Sequence, residues 1–149
     1  MESKAKIIQM LKGILTVCRA CEAGFNAAST SIEGKTSRDL VATCAEQHRE
    51  FAEELRNEIY FHSDQEFDAA PPTDAWHEIL EALPTADDEK ILIACERMEQ
   101  ALLRIYQDAL AMEIPWDVES VLSHQHAEVK NACFFLSALE LFSQHQFAM

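Results

Sequence analysis

Apolar residues return every three or four positions through four long stretches of this chain, the spacing that lines one side of a 3.6-residue helical repeat. The most regular runs from Asp87 to Met112, where Ile91, Cys95, Met98, Leu102, Ile105, Ala109 and Met112 share a side that must be buried. From about Ser3 to Ser31 the series is Ile7, Leu11, Ile14, Cys18, Cys21 or Glu22, Phe25 and Ala28. A second helix extends to roughly His62 with Val41, Cys44, His48, Phe51, Leu55 and Ile59 inward, and a last one continues to about Gln144. The inner positions of the last helix are Val118, Val121 or Leu122, Gln125, Val129, Ala132, Leu136 and Leu139.

Punctuation between the stretches sets their connections. Gly34 supplies a stop for the first helix, and Thr36 or Ser37 can cap the second by accepting a backbone N–H bond. Glu113-Ile-Pro115-Trp116 is a second short connection, with Asp117 as a candidate cap. Short turns make each flanking pair antiparallel. Between the second and third long helices Pro71-Pro72 is followed by Asp74 to Leu83, where Trp76, Leu80 and Leu83 predict a short packing helix; Thr85 and the acids after Pro84 then start the third long helix. That connection is long enough to return the chain to its starting end, leaving the second and third long helices parallel. Two tight pairs joined by one crossover is the connectivity of a ferritin-like four-helix bundle, all-α, with residues 1–149 as one domain. An up-down-up-down bundle whose loop carries an extra helix stays open as the other topology.

Composition narrows the partners. Twelve basic against 26 acidic residues leave a net charge of −14, which argues against nucleic acid and against an anionic membrane surface. No apolar run approaches the roughly eighteen residues of a bilayer span. Gln9 and Lys12 interrupt the N-terminal apolar run, so it reads as an amphipathic helix and not a secretory signal. Five cysteines, an odd number in a chain of long regular elements, point to free thiols in a reducing, cytoplasmic compartment.

A carboxylate interrupts the core. Glu99 falls between Cys95 and Leu102, where burial requires a partner or a path to solvent. Counting from the turns brings Glu22, His48, Glu99 and Glu128 near one mid-bundle level. They form the candidate metal set, since hard oxygen ligands and an imidazole are what a dinuclear iron or manganese site uses. Such a site usually takes Glu-x-x-His from two of its helices, whereas Ala45 stands three before His48 and Asn131 three after Glu128. The leading expectation is a degenerate polar layer without cofactor, in which Glu22 and Glu99 are held by His48, Gln47 or Gln125. Cys18-Arg-Ala-Cys21 has CxxC spacing but sits inside a helix, away from the N-terminal dipole that activates redox thiols. The five cysteines read as small apolar core residues. No Ser-His-Asp order, phosphate-binding glycine loop or zinc-finger spacing occurs.

Cys21-Glu-Ala-Gly-Phe25, Phe51-Ala-Glu-Glu-Leu55, Ile93-Ala-Cys-Glu-Arg-Met-Glu99, Tyr106-Gln-Asp-Ala-Leu110 and Gln125-His-Ala-Glu-Val129 carry a resemblance that spans nearly the whole chain. With them the chain resembles a bacterial family of ferritin-like four-helix-bundle proteins classed as a domain of unknown function. The resemblance implies a ferritin-like architecture without an established reaction; relatives often place arginine at the position of His48 and a histidine at that of Cys133. The expected function is a non-enzymatic cytoplasmic protein, interaction- or stress-associated, acting through a homodimer or an unidentified protein partner. The alternative is a metal-dependent oxidase or peroxide-handling enzyme with iron or manganese held by Glu22, His48, Glu99 and Glu128. Paired aromatics at Tyr60-Phe61 and Phe134-Phe135 cannot all enter one narrow core stripe and predict either a seam between copies or cover from the crossover and the C-terminal tail.

Overall fold

The computed structural model describes residues 1–70, 77–85 and 87–148, the last six of these as backbone. Within them the chain is all-helical, without a strand: α1 (Lys4–Ser31), α2 (Lys35–Ser63), α3 (His77–Ala82) with a 3-10 turn over Leu83–Thr85, α4 (Asp88–Leu110) and α5 (Trp116–Ala148). Ser3 caps α1 by accepting from the Lys6 N–H, and Asp87 caps α4 by accepting from the Glu89 and Lys90 N–H groups. The predicted last helix therefore runs four residues beyond Gln144 and starts at Trp116, one residue before its expected cap. Asp117 lies in its first turn.

The turn between α1 and α2 differs from expectation. Ile32, not Gly34, ends α1, and Gly34 is the N-cap of α2, with no side chain of its own to satisfy the first N–H groups. Asp88 closes this end from across the fold. Its carboxylate accepts from the Glu33 N–H at 3.0 Å and the Gly34 N–H at 2.9 Å. A Cβ on residue 34 would sit 3.2 Å from Asp88 Oδ2, so glycine here makes room for a cross-helix contact. At its far end α2 stops on Asp64, whose left-handed backbone (φ 57°) lets its N–H reach the Tyr60 carbonyl.

Helix directions follow from contacts between distant residues. Asp88 at the start of α4 meets the start of α2, and Glu99 eleven residues further on meets His48, so α2 and α4 point the same way. Asp117 at the start of α5 meets His62 at the end of α2, and Gln125 reaches Phe51, so α5 opposes both. The four long helices pack side by side, α1 against α2 and α4, and α5 against α4 and α2. The described part of the connection after α2, residues 64–70, lies along the outside of α1. Phe67 and Ala69 pack on the core edge, Lys12 sits 4.9 Å from the centre of the Phe67 ring, and Arg19 bonds Asp68 at 3.0 and 3.1 Å. On α3 it is Ile79 that is fully buried, while Leu80 is exposed; the predicted phase was one residue late. Trp76, the residue expected to anchor that helix, lies outside the described residues.

Two apolar clusters fill the interior. One holds Leu11, Ile14, Leu15, Leu55, Ile59, Leu102, Tyr106 and Leu122, and the other Phe25, Val41, Ile79, Ile91, Leu92 and Leu136. Every inner position expected on α2 is buried, whereas on α4 the stripe is rotated slightly, putting Glu99 and Tyr106 at its centre and Met98 and Ile105 at its edge. No helix among the described residues is long and apolar enough to cross a membrane.

Candidate functional site

Where the two apolar clusters meet, α2 and α4 each bring in one ionisable group. His48 and Glu99 are both fully buried, with His48 Nε2 2.5 Å from Glu99 Oε1. The opposite ring nitrogen, Nδ1, donates to the Cys44 carbonyl at 2.5 Å, a bond within α2 that fixes the ring's orientation. Phe25 and Phe51 meet the imidazole edge-on, at 5.2 and 5.8 Å between ring centres. Burial works against a charged imidazole, but the Glu99 carboxylate and the Cys44 carbonyl outweigh it and hold His48 above its ordinary pKa. The pair is therefore an ion contact. Its direction is poor for a hydrogen bond, and neither Glu99 oxygen has a well-formed one.

The third member of this group is Cys21 of α1. Its sulfur, a His48 ring nitrogen and a Glu99 oxygen all lie within 4.8 Å of one another, and all three residues are buried. Sequence left position 21 or 22 as the inner one; packing chooses Cys21 and turns Glu22 to the rim. There Glu22 accepts from Arg19 at 3.0 Å, and the same guanidinium bonds Glu53 at 2.8 Å and Asp68, holding the Glu53 and Asp68 carboxyls below their usual range. Glu128 is half-buried and accepts from Gln47 Nε2 at 2.9 Å. Of the four candidate ligands the structure thus brings together His48 and Glu99. Glu22 and Glu128 belong to separate surface-side contacts, and neither joins the buried group within 4.8 Å.

Gln125 serves Tyr106 and not Glu99. It accepts from the Tyr106 hydroxyl at 2.6 Å and donates to the Phe51 carbonyl at 3.3 Å, and Cys18 lies 3.6 Å from the same hydroxyl. All five cysteines are buried free thiols. Burial pushes Cys18, Cys44 and Cys133 up to about 12, so these sulfurs stay protonated and behave as small apolar groups.

Two acid pairs were not anticipated. At the end of α2, His62 Nε2 lies 2.7 Å from Asp117 Oδ2 and 3.6 Å from Glu58 Oε2. The i,i+4 spacing of Glu58 and His62 is visible in the sequence, whereas the position of Asp117 predicts a helix cap and gives no sign of this contact. On the other side Glu96, which also accepts from the Ser137 hydroxyl, shares its neighbourhood with Glu140. Burial, then the adjoining Asp117, raises Glu58 to about 7; burial, then the adjoining Glu96, raises Glu140 to about 8. Each pair shares a proton in the folded state that the unfolded chain, with carboxyls near 4.5, has already lost at neutral pH. The stabilisation is complete below the unfolded value and disappears as pH rises through about 7 and about 8. Melting temperature is accordingly expected to fall between pH 5 and pH 8.5, and Glu58→Gln with Glu140→Gln should flatten that slope in a thermal-melt series. A slope unchanged in the double variant would assign the pH dependence to other groups.

No curated protein matches this chain. A family match begins at Lys6 in α1 and ends at Met112 just past α4, so it takes in Cys21, His48 and Glu99 but stops before α5. Over residues 6–112 the chain fits the family described as a domain of unknown function, DUF2383, and it belongs to that family.

Proposed function

We propose that this protein is a non-enzymatic, cytoplasmic bundle of the ferritin-like kind that works by association, with a second copy of itself or with another protein. The observation that carries the reading is an apolar stripe on the outer face of α5. Phe134, Phe135, Ala138, Leu141 and Phe142 recur at helical spacing and are all exposed, the two phenylalanines 134 and 135 at 70% and 53%. A soluble chain seldom leaves so many large apolar groups on one face without something to cover them. Tyr60, Phe61 and Trp116 are exposed near the opposite end of the long helices.

Two short turns flanking one long connection between parallel helices support the ferritin-like assignment. The residues present do not fit the dinuclear centre that this architecture often carries. Ala45 and Asn131 stand where Glu-x-x-His pairs would need ligands, Glu22 is neutralised by Arg19, and Glu128 is bonded to Gln47. That donor set favours the non-enzymatic reading over a carboxylate-bridged oxidase or peroxide-handling enzyme, and no reaction step is assigned to such a centre.

Light scattering on the full chain tests the association. At tens of micromolar the protein is expected to run as a dimer, more firmly at higher salt because a net charge of −14 on each copy opposes contact and salt screens it. Phe134→Ser combined with Leu141→Ser should give a monomer of unchanged helix content. A wild-type monomer at the same concentration and high salt would remove self-association through this face.

A further inference from the structure

We propose that Cys21, His48 and Glu99 form a site for a single divalent cation of the zinc type, built into the core between α1, α2 and α4. Three different donor chemistries, a sulfur, an imidazole nitrogen and a carboxylate oxygen, converge from three helices to within 4.8 Å of one another. Ligands of one tetrahedral zinc-type ion stand about 3.3–3.6 Å apart, given metal–ligand distances of about 2.0–2.3 Å. The present His48–Glu99 contact of 2.5 Å must therefore open by about 0.8 Å, within reach of a glutamate side chain whose two oxygens carry no well-formed hydrogen bond.

Three features point to a ligand here. The first is the carboxylate itself: Glu99 is fully buried, has no well-formed hydrogen bond and is aimed at the other two donors. A bare ion pair leaves these lone pairs unmatched, a costly arrangement in an apolar interior. The second is the orientation of His48. Donation from Nδ1 to the Cys44 carbonyl leaves Nε2 as the ligating atom, the outer contact that metal-bound histidines commonly make. The third is charge. A dication with one thiolate, one carboxylate and one neutral imidazole sums to zero, so the complex can lie between two apolar clusters without a net buried charge. On binding, the cation displaces the thiol proton of Cys21 and the proton shared by His48 and Glu99. No electrons are transferred.

A mixed sulfur, nitrogen and oxygen set selects a borderline cation over magnesium or calcium, which require oxygen donors. It also differs from the four-residue carboxylate set, because Cys21 replaces Glu22 and Glu128 takes no part. The half-buried Glu58–His62–Asp117 group is a weaker candidate, as its carboxyls already share a proton and His62 already bonds Asp117.

The test uses the full chain, refolded under reducing, chelator-free conditions with Co2+ as the probe, since the site is closed in the folded protein. One Co2+ per chain is expected, with a sulfur-to-cobalt charge-transfer band in the near ultraviolet that added Zn2+ bleaches. The band should disappear in Cys21→Ser, weaken about tenfold or more in apparent affinity in Glu99→Gln, and persist in Cys18→Ser. Circular dichroism on each variant confirms the fold, and a thermal melt gives a second reading. Zn2+ should raise the melting temperature of wild type and raise that of Glu99→Gln less at the same concentration. Absence of a thiolate band in refolded wild type, or an equal band in Cys21→Ser, would overturn the proposal and leave His48 and Glu99 as an ion pair alone.

Discussion

Replacing His48 by leucine in the metal-free protein is expected to cost about 3–5 kcal/mol of stability, among the largest effects of any single substitution in this chain. The reason lies in what remains. Glu99 is fully buried between two apolar clusters, and among the described residues His48 is the only charged group in contact with it. Coulomb attraction over 2.5 Å in a poorly polarisable interior offsets the cost of removing both ions from water, whereas a carboxylate left alone there has no such compensation. The double variant His48→Leu with Glu99→Met should recover most of the loss, because an apolar pair of similar volume has no charge to desolvate. Urea unfolding of the two single variants and the double variant, in chelator, gives the coupling energy directly. A single variant within 1 kcal/mol of wild type would show that water reaches Glu99 and that the layer is wetter than its burial implies.

Phe25→Ala is expected to be comparably severe, at about 3–5 kcal/mol and a fall in melting temperature of roughly 10 °C. Phe25 is fully buried and meets the edge of the His48 imidazole at 5.2 Å, so truncation removes both transfer energy and an aromatic contact. The cavity it leaves adjoins the ion pair, and the close packing of four helices gives little room for collapse. Phe61→Ala is the matched comparison. Its ring is 74% exposed, and the change should stay within about 0.5 kcal/mol of wild type. Differential scanning calorimetry of the two variants separates the cases, and a Phe25→Ala melting point near that of wild type would mean that the core repacks around the missing ring.

These two effects depend on a layer that was partly legible in the sequence. Glu99 falls on the apolar stripe of its own helix and His48 on that of another, and such local periodicity identifies buried polar residues before any tertiary contact is known. Bringing them to one level required counting from the two short turns, which sets Glu22 beside the Glu46 to His48 region and Glu99 opposite residues near Glu128. Cys21 joining them was not readable. Cys21 and Glu22 are neighbours about 100° apart on α1, and both fit the edge of its stripe. Burial against α2 and α4 favours the thiol, while Arg19 and the segment carrying Asp68 give the carboxylate a better partner outside.

The sequence by itself determined the helical class, the extent of the four long helices to within a few residues, and nearly every inner position on α1, α2 and α5. Each of these follows from interactions within one or two turns of the chain, namely apolar spacing, capping oxygens and proline or glycine punctuation. Only the tertiary structure decided how those helices face one another. It rotated α4 so that Tyr106 finds Gln125, placed Ile79 and not Leu80 inward on α3, and sent Asp88 across to cap the neighbouring turn. It also set Glu58 against Asp117 and Glu96 against Glu140, and left the outer face of α5 apolar and bare. A shift of one residue turns a side chain by about 100°, and propensity is nearly indifferent to so small a rotation. The close-packed interior is not, because it must match donors to acceptors across helices that are far apart in sequence.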